Sequence, residues 1–211
     1  MSSGTDVSGE VARGGRLPRD ERRKQLLAAA QEVFVANGYY ATGMDDIAER
    51  AGVSKPVLYQ HFPGKLELYL GLLDTQTEAL SDAVSGALAT TEDNAERVHA
   101  VLAAYFDFVD RDDHDGAYRL VFESDLVNEP AVRQRVEQVT RATMIAVAQT
   151  VAADTGLDRA TSELLATSLT GAAQAAAQWW LDNDKPLTRD QAITFLEALL
   201  WRGISNFPLH E

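Results

Sequence analysis

The sequence predicts an all-α protein, and three observations carry that prediction. Apolar residues recur at spacings of three and four along most of the chain. No stretch sustains the alternation of β-branched residues that a strand requires, and no Asn-Gly or Asp-Gly pair forms a hairpin between apolar runs. Capping residues stand where the helical pattern starts and stops.

Each element follows in order. Residues 1–15 are small and polar, cannot offset the entropy of ordering, and predict a mobile tail. Pro18 suits the first turn of a helix in which Leu26, Leu27, Ala30, Val33 and Phe34 share a face, with a stop at Asn37-Gly38. Asp45 to Ala51 forms a short helix broken at Gly52, the Ser54 hydroxyl caps another through Phe62, and Lys65 to about Ala89 forms a longer one. Asp93 and Glu96 have capping-box spacing before a helix to about Val109, and a further short helix follows the loop at Asp112 to Gly116. Pro130 opens a helix to about Asp154, and Asp158 caps one reaching Asp182. Thr188 and Gln191 form a capping box before the last helix, which ends near Ser205. Nine helices result, divided into the tail (1–15), a small head (16–64) and a body (65–211).

Composition narrows the function. With no cysteine, the 211 residues hold neither a disulfide framework nor a thiolate metal site. The longest apolar stretches fall short of the ~20 residues that cross a bilayer, and no apolar leader opens the chain, so a cytoplasmic protein without membrane contact is expected. The net charge of −13 is unevenly spread. Residues 1–66 hold nine Lys/Arg and eight Asp/Glu, whereas residues 67–211 hold ten and twenty-four. Only the first third is fit to approach a polyanion.

Within that third, residues 44–62 have helix-turn-helix grammar. Ile47, Ala48 and Ala51 share one face of the first short helix, Leu58 and Phe62 share one face of the second, and Val53 plugs the turn. Gly52 accepts the positive φ of a helix C-terminus. The other face of the second helix displays Lys55, Pro56, Val57, Tyr59, Gln60 and His61. Gln60 can read a base edge, Val57 can touch a thymine methyl, and Lys55, Tyr59 and His61 can hold phosphates. Arg16 and Arg19, at the start of the first helix, suit an arm that follows phosphates or enters the minor groove. A solvated helix start is the other reading of those arginines.

These residues resemble the TetR family of bacterial transcription regulators. The likeness rests on Phe34, Gly38, Tyr39, Thr42, Ile47-Ala48, Ala51-Gly52-Val53-Ser54, Leu58-Tyr59, His61-Phe62 and Lys65. It implies a DNA-binding domain followed by a helical body for effector binding and dimerisation, with Thr42, Tyr59, His61 and Lys65 on the DNA backbone. Gly43 stands where the family often has a capping Ser or Thr, an acceptable N-cap, and Val57 where Thr, Ser or Ala is usual, which bears on operator choice; neither departure bears on the fold. Stretches at 16–23, 55–62, 65–70 and 118–123 further resemble members of the family that control fatty-acid synthesis genes. That likeness implies long-chain acyl-coenzyme A as effector and no other cofactor, with Arg119, Arg133, Arg135 and Arg141 available for its phosphates.

A helix-turn-helix reads half a site, so a homodimer on a palindromic double-stranded operator is expected. The surface for it is sought in the last two helices, at Ala172, Ala176, Trp180, Phe195 and Leu199, with Trp201 and Ile204 continuing the stripe. For the hydrophobic effector, Leu80, Leu88, Leu102, Tyr105, Phe106, Val109, Phe122, Met144 and Trp179 are the expected lining, against the alternative that they are plain core. No catalytic constellation is visible: the four histidines lack metal-binding spacing, and neither a nucleophile elbow nor a phosphate loop occurs. The acidic run Asp110 to Asp115 lacks EF-hand spacing and reads as a solvated loop. Two other functions stay open: a regulator of an efflux or catabolic operon with an unrelated small apolar ligand, and a helical ligand-binding protein that does not touch DNA.

Overall fold

Gly38 and Gly52 set the shape of the first sixty residues. In a computed structural model, which describes residues 17–110, 126 and 128–203, helix α1 (Arg19–Ala41) is interrupted at Gly38, whose φ of 75° and ψ of 165° end the regular turns at the expected stop. Helices α2 (Met44–Arg50) and α3 (Lys55–His61) are joined by a turn through Gly52 at φ 63°. The body holds α4 (Lys65–Ala89), α5 (Asn94–Asp110), α6 (Pro130–Thr155), α7 (Arg159–Asp182) and α8 (Arg189–Arg202). The tail, Arg16, the short helix expected after Gly116, Phe122 and Ile204 lie outside the described residues.

The boundaries agree with the expected ones to within a few residues, but some of the capping is different. Asp158 accepts the Thr161 amide at 3.1 Å, and Thr188 and Gln191 exchange the two bonds of a capping box. Ser54, expected to cap α3 through its hydroxyl, makes no such bond. Asp93 accepts from the amides of Ala95 and Glu96, but the Glu96 carboxylate accepts from the Thr91 hydroxyl at 2.6 Å, so only half of that box forms.

Two apolar cores divide the molecule. The first joins α1, α2 and α3 to the early turns of α4, through Leu68, Tyr69, Leu72 and Leu73, and also takes in Leu126 and Val132. It therefore continues past Gly64, because three short helices cannot enclose a core alone and the next helix completes it. The second core fills the space among α4, α5, α6, α7 and α8, around Leu102, Phe106, Val109, Trp180 and Ile193. Helix α4 is about 37 Å long at 1.5 Å per residue and belongs to both cores, as does α6.

Candidate nucleic-acid interface

The turn between α2 and α3 is held from several sides. Val53 N–H donates to Ala48 O and Gly52 N–H to Glu49 O, both at 3.0 Å, which closes α2. Gln25 of α1 donates to Ala51 O at 2.8 Å and so ties the turn to the supporting helix. Ile47 and Leu58 are wholly buried and Phe62 nearly so, with the Arg23 guanidinium 4.5 Å over the Phe62 ring. At Gly71 of α4 a Cβ would lie 3.0 Å from Phe62 and 3.1 Å from Arg23, so any larger residue would press on the packing of α3 against α4.

With its apolar face fixed inward, α3 presents the opposite face to solvent. Lys55, Pro56, Tyr59 and Gln60 are exposed, and Val57 and His61 are half-buried beside them. This is the group expected from sequence, brought together on two turns of helix that fit one stretch of major groove. Arg19, Arg22 and Arg23 of α1 border it. Burial, and after it the charges of these arginines, push the His61 pKa below its ordinary value. Lys55 pairs with Asp45 of α2 at 2.5 Å, and the hydrogen bond to that carboxylate raises its pKa.

Two of the expected backbone holders also bond within the head. Thr42 is buried, its hydroxyl donating inward to Gly38 O at 2.7 Å and Val33 O at 3.4 Å. Lys65 is half-buried and donates to Tyr39 O at 2.9 Å and Thr42 O at 2.8 Å, with its ammonium 4.4 Å over the Tyr39 ring.

In the body, an apolar cavity of about 200 Å³ lies at the end far from α3. Leu88 and Leu102, two of the residues named for effector lining, border it together with Val98, Val101 and Val151, and Trp201, named for the dimer stripe, borders it too. The ion pair of Arg97 and Asp154 stands beside them, with Arg97 also donating to Leu88 O and Thr91 O. Leu80, Tyr105, Phe106 and Val109 are not at this cavity but in the second core, and the Tyr105 pKa is pushed up to about 12 by burial. Met144 packs at that core's edge.

Of the two adjacent tryptophans, Trp180 is buried and Trp179 is exposed. Trp180, sought on the dimer face, is 2% exposed, donates its indole N–H to Leu187 O at 2.8 Å and meets Phe106 edge-on at 5.4 Å. Trp179, expected to line the effector pocket, is 55% exposed on the outer side, where it shares a shallow groove with Ala176, Phe195 and Leu199. Adjacent helical residues point about 100° apart, so one of the pair had to face outward. Ala172 is half-buried on the same helix.

A helix-turn-helix with a polar reading face, carried on an all-α body with a core of its own, is the architecture of a DNA-binding transcription regulator. Residues 26–72 match the family described as bacterial regulatory proteins, tetR family, and residues 95–203 match the tetracyclin repressor-like C-terminal domain. The chain belongs to the TetR family. It is 48% identical over 202 residues to the HTH-type transcriptional activator FasR of Mycolicibacterium smegmatis, covering 96% of this chain and 91% of that protein. Among solved structures, a TetR-like transcriptional regulator from Rhodococcus sp. RHA1 superposes with a TM-score of 0.72 at 28% identity, over 91% of this chain and all of the other. The fold is also that of the transcriptional regulator FadR of Bacillus subtilis in complex with stearoyl-CoA, with a TM-score of 0.66 at 19% identity over 86% of this chain and 98% of that one.

Proposed function

We propose that this chain is a homodimeric regulator of fatty-acid or lipid synthesis genes that acts in the cytoplasm and whose hold on a palindromic operator is set by a long-chain acyl-coenzyme A. The observation that carries this reading is the 48% identity to the activator FasR across nearly the whole chain, body included. Support also comes from the stearoyl-CoA complex of a regulator with the same fold and from the apolar cavity within the body. The outward stripe of Trp179, Phe195 and Leu199 is a surface a second copy would cover. Effector and operator are then linked because α4 and α6 each belong to both cores, so two packings of the body correspond to two placements of the reading helices. An effector shifts their balance only by its differential affinity for the two, and a few kcal/mol changes occupancy many-fold.

Fluorescence anisotropy tests this on DNA from upstream of the chain's own gene and of the nearest fatty-acid synthase operon, with and without palmitoyl-coenzyme A. Salt-steep binding altered by the thioester is the expected result; binding indifferent to it sinks the effector. A second reading, a smaller apolar effector, is favoured by the cavity itself: about 200 Å³ lies below the ~300–1,000 Å³ usual for ligand pockets. Octanoyl-coenzyme A acting at lower concentration than the palmitoyl thioester would decide for it.

A further inference from the structure

We propose that Gln25 of α1 is a positioning residue for operator reading: by holding the carbonyl of Ala51 it fixes the angle at which α3 leaves the turn, and so which base edges the exposed face of α3 can meet. The two bonds that close α2 end on Ala48 O and Glu49 O, and Ala51 O lies beyond both, at the last residue before the left-handed Gly52. Carbonyls at a helix C-terminus lack intrahelical partners. The half-buried Gln25 supplies one. Its Nε2–H donates to Ala51 O at 2.8 Å, twenty-six residues further along the chain, while its Oε1 accepts from the Arg22 guanidinium at 2.7 Å. Both ends of the amide are engaged, which fixes its orientation, and no apolar, cationic or anionic side chain of that length makes both bonds.

Helix α3 has only seven residues and is about 10 Å long, so an anchor at each end sets its direction. Neighbouring residues of α1 supply both. At the far end the Arg23 guanidinium lies 4.5 Å over the ring of Phe62, the C-cap of α3, and the charges of Arg22 and Arg23 reach His61. At the near end Gln25 holds the turn. Between them α3 is seated by buried Leu58 in the first core, and apolar contacts are non-directional: they keep the helix in place but resist its rotation weakly. The bond to Ala51 O is directional, and it joins the turn to α1. Without it α3 stays packed but can pivot about Phe62. A phosphate contact tolerates such a pivot, whereas a bidentate base contact needs one geometry. Gln25 is thus what aims the reading helix, an inference that rests on the regulator reading above.

Discrimination between duplexes separates aiming from plain support. The tightest duplex that the full-length protein selects from a random library is compared with a scrambled duplex of the same composition. Both are titrated by anisotropy from about 50 to 200 mM salt with the wild-type chain, Gln25→Met, Arg22→Met and the double variant. Urea melting and amide exchange at Gly52 and Val53 are followed without DNA. Methionine keeps the length and helix preference of glutamine and removes both bonds. Expected in Gln25→Met are about a tenfold fall in the ratio of selected to scrambled affinity, the contribution of one hydrogen bond, and an unchanged salt slope on the scrambled duplex, since no phosphate contact is lost. Exchange at Gly52 and Val53 should quicken while the urea midpoint hardly moves. Arg22→Met should lower the same ratio in the wild-type background and leave it unchanged in Gln25→Met, because the two side chains act as one unit. Gln25→Glu, which keeps the acceptor for Arg22 and loses the donor to Ala51 O, should show the same fall and stands in if the methionine form does not fold. Equal losses on both duplexes, in step with the urea midpoint, overturn the proposal, as does unchanged exchange at Gly52 and Val53. A wild-type chain that selects no duplex strikes the regulator reading alone, and the exchange result then decides whether Gln25 holds the turn.

Discussion

The head and the body are held together by different kinds of contact. In the head, polar bonds between distant segments accompany the apolar core: Gln25 to Ala51 O, Thr42 to Gly38 O, Lys65 to Tyr39 O, and the buried amide pair in which Gln76 of α4 donates to Gln31 of α1 at 2.8 Å. Each needs one register and one angle, so the head has a single shape. The body's core is apolar, and two of the ion pairs around it, Lys185 with Asp110 and His99 with Glu197, stand toward the surface. Apolar contacts are non-directional and leave room for a cavity and a groove. The difference separates a part that must present fixed geometry from one that can repack.

The largest effect that would sharpen this contrast lies in the adjacent tryptophans. Trp180→Ala should destabilise the body by about 3–5 kcal/mol in urea denaturation, since it removes a buried ring and leaves Leu187 O without its donor. Trp179→Ala should leave the melting of the protomer nearly unchanged and weaken self-association in sedimentation. Equal losses of stability from both would break the distinction.

Next comes the tightest contact of the head. Gly71→Ala places a methyl 3.0 Å from Phe62, and the cost should be about 1–3 kcal/mol by thermal melting, with weaker operator binding because α3 is displaced through Phe62. A rigid head predicts this; a head that absorbs the methyl without loss is softer than its bonds imply.

On the reading face, Gln60→Ala should change preference among operator sequences, with about 1–3 kcal/mol lost on the best one, while Tyr59→Ala should weaken all sequences alike. Competition anisotropy with single-base operator variants measures both. The smallest effect concerns His61. Its lowered pKa means that the folded head takes up a proton less readily than the unfolded chain, so its contribution to stability is complete above the ordinary value of 6.5 and declines as pH falls below it. Phosphates reverse the preference, so operator affinity should rise a few-fold as pH falls through that region, and His61→Asn should flatten the profile.

The helix-turn-helix was readable from sequence because its determinants are local: the apolar faces of α2 and α3, the positive φ of Gly52 and the exposed group on α3 all follow from spacings of a few residues. The parts that were not readable depend on partners far along the chain. Lys65 carries a charge suited to phosphate, and only the fold reveals that Tyr39 O, twenty-six residues earlier, is within its reach. Thr42 likewise turns inward because Gly38 breaks α1 in front of it. In the body, a valine that lines the cavity and one that fills the core obey the same spacing, so Val151 and Val147 of α6 could not be told from Val109. Trp179 and Trp180 failed for the same reason: the pattern shows that one faces out, but not which.

The pairing of Lys55 with Asp45 bears on how such a protein finds its site. A cation that already has a carboxylate partner gains little from a passing phosphate, and the fourteen excess negative charges of residues 67–211 repel the duplex that the head touches. Encounters with random DNA should therefore be short. If Lys55 meets a phosphate as proposed for this face, only a sequence that supplies base contacts as well would repay the exchange of Asp45, and a crowded chromosome would hold the protein for less time between operators.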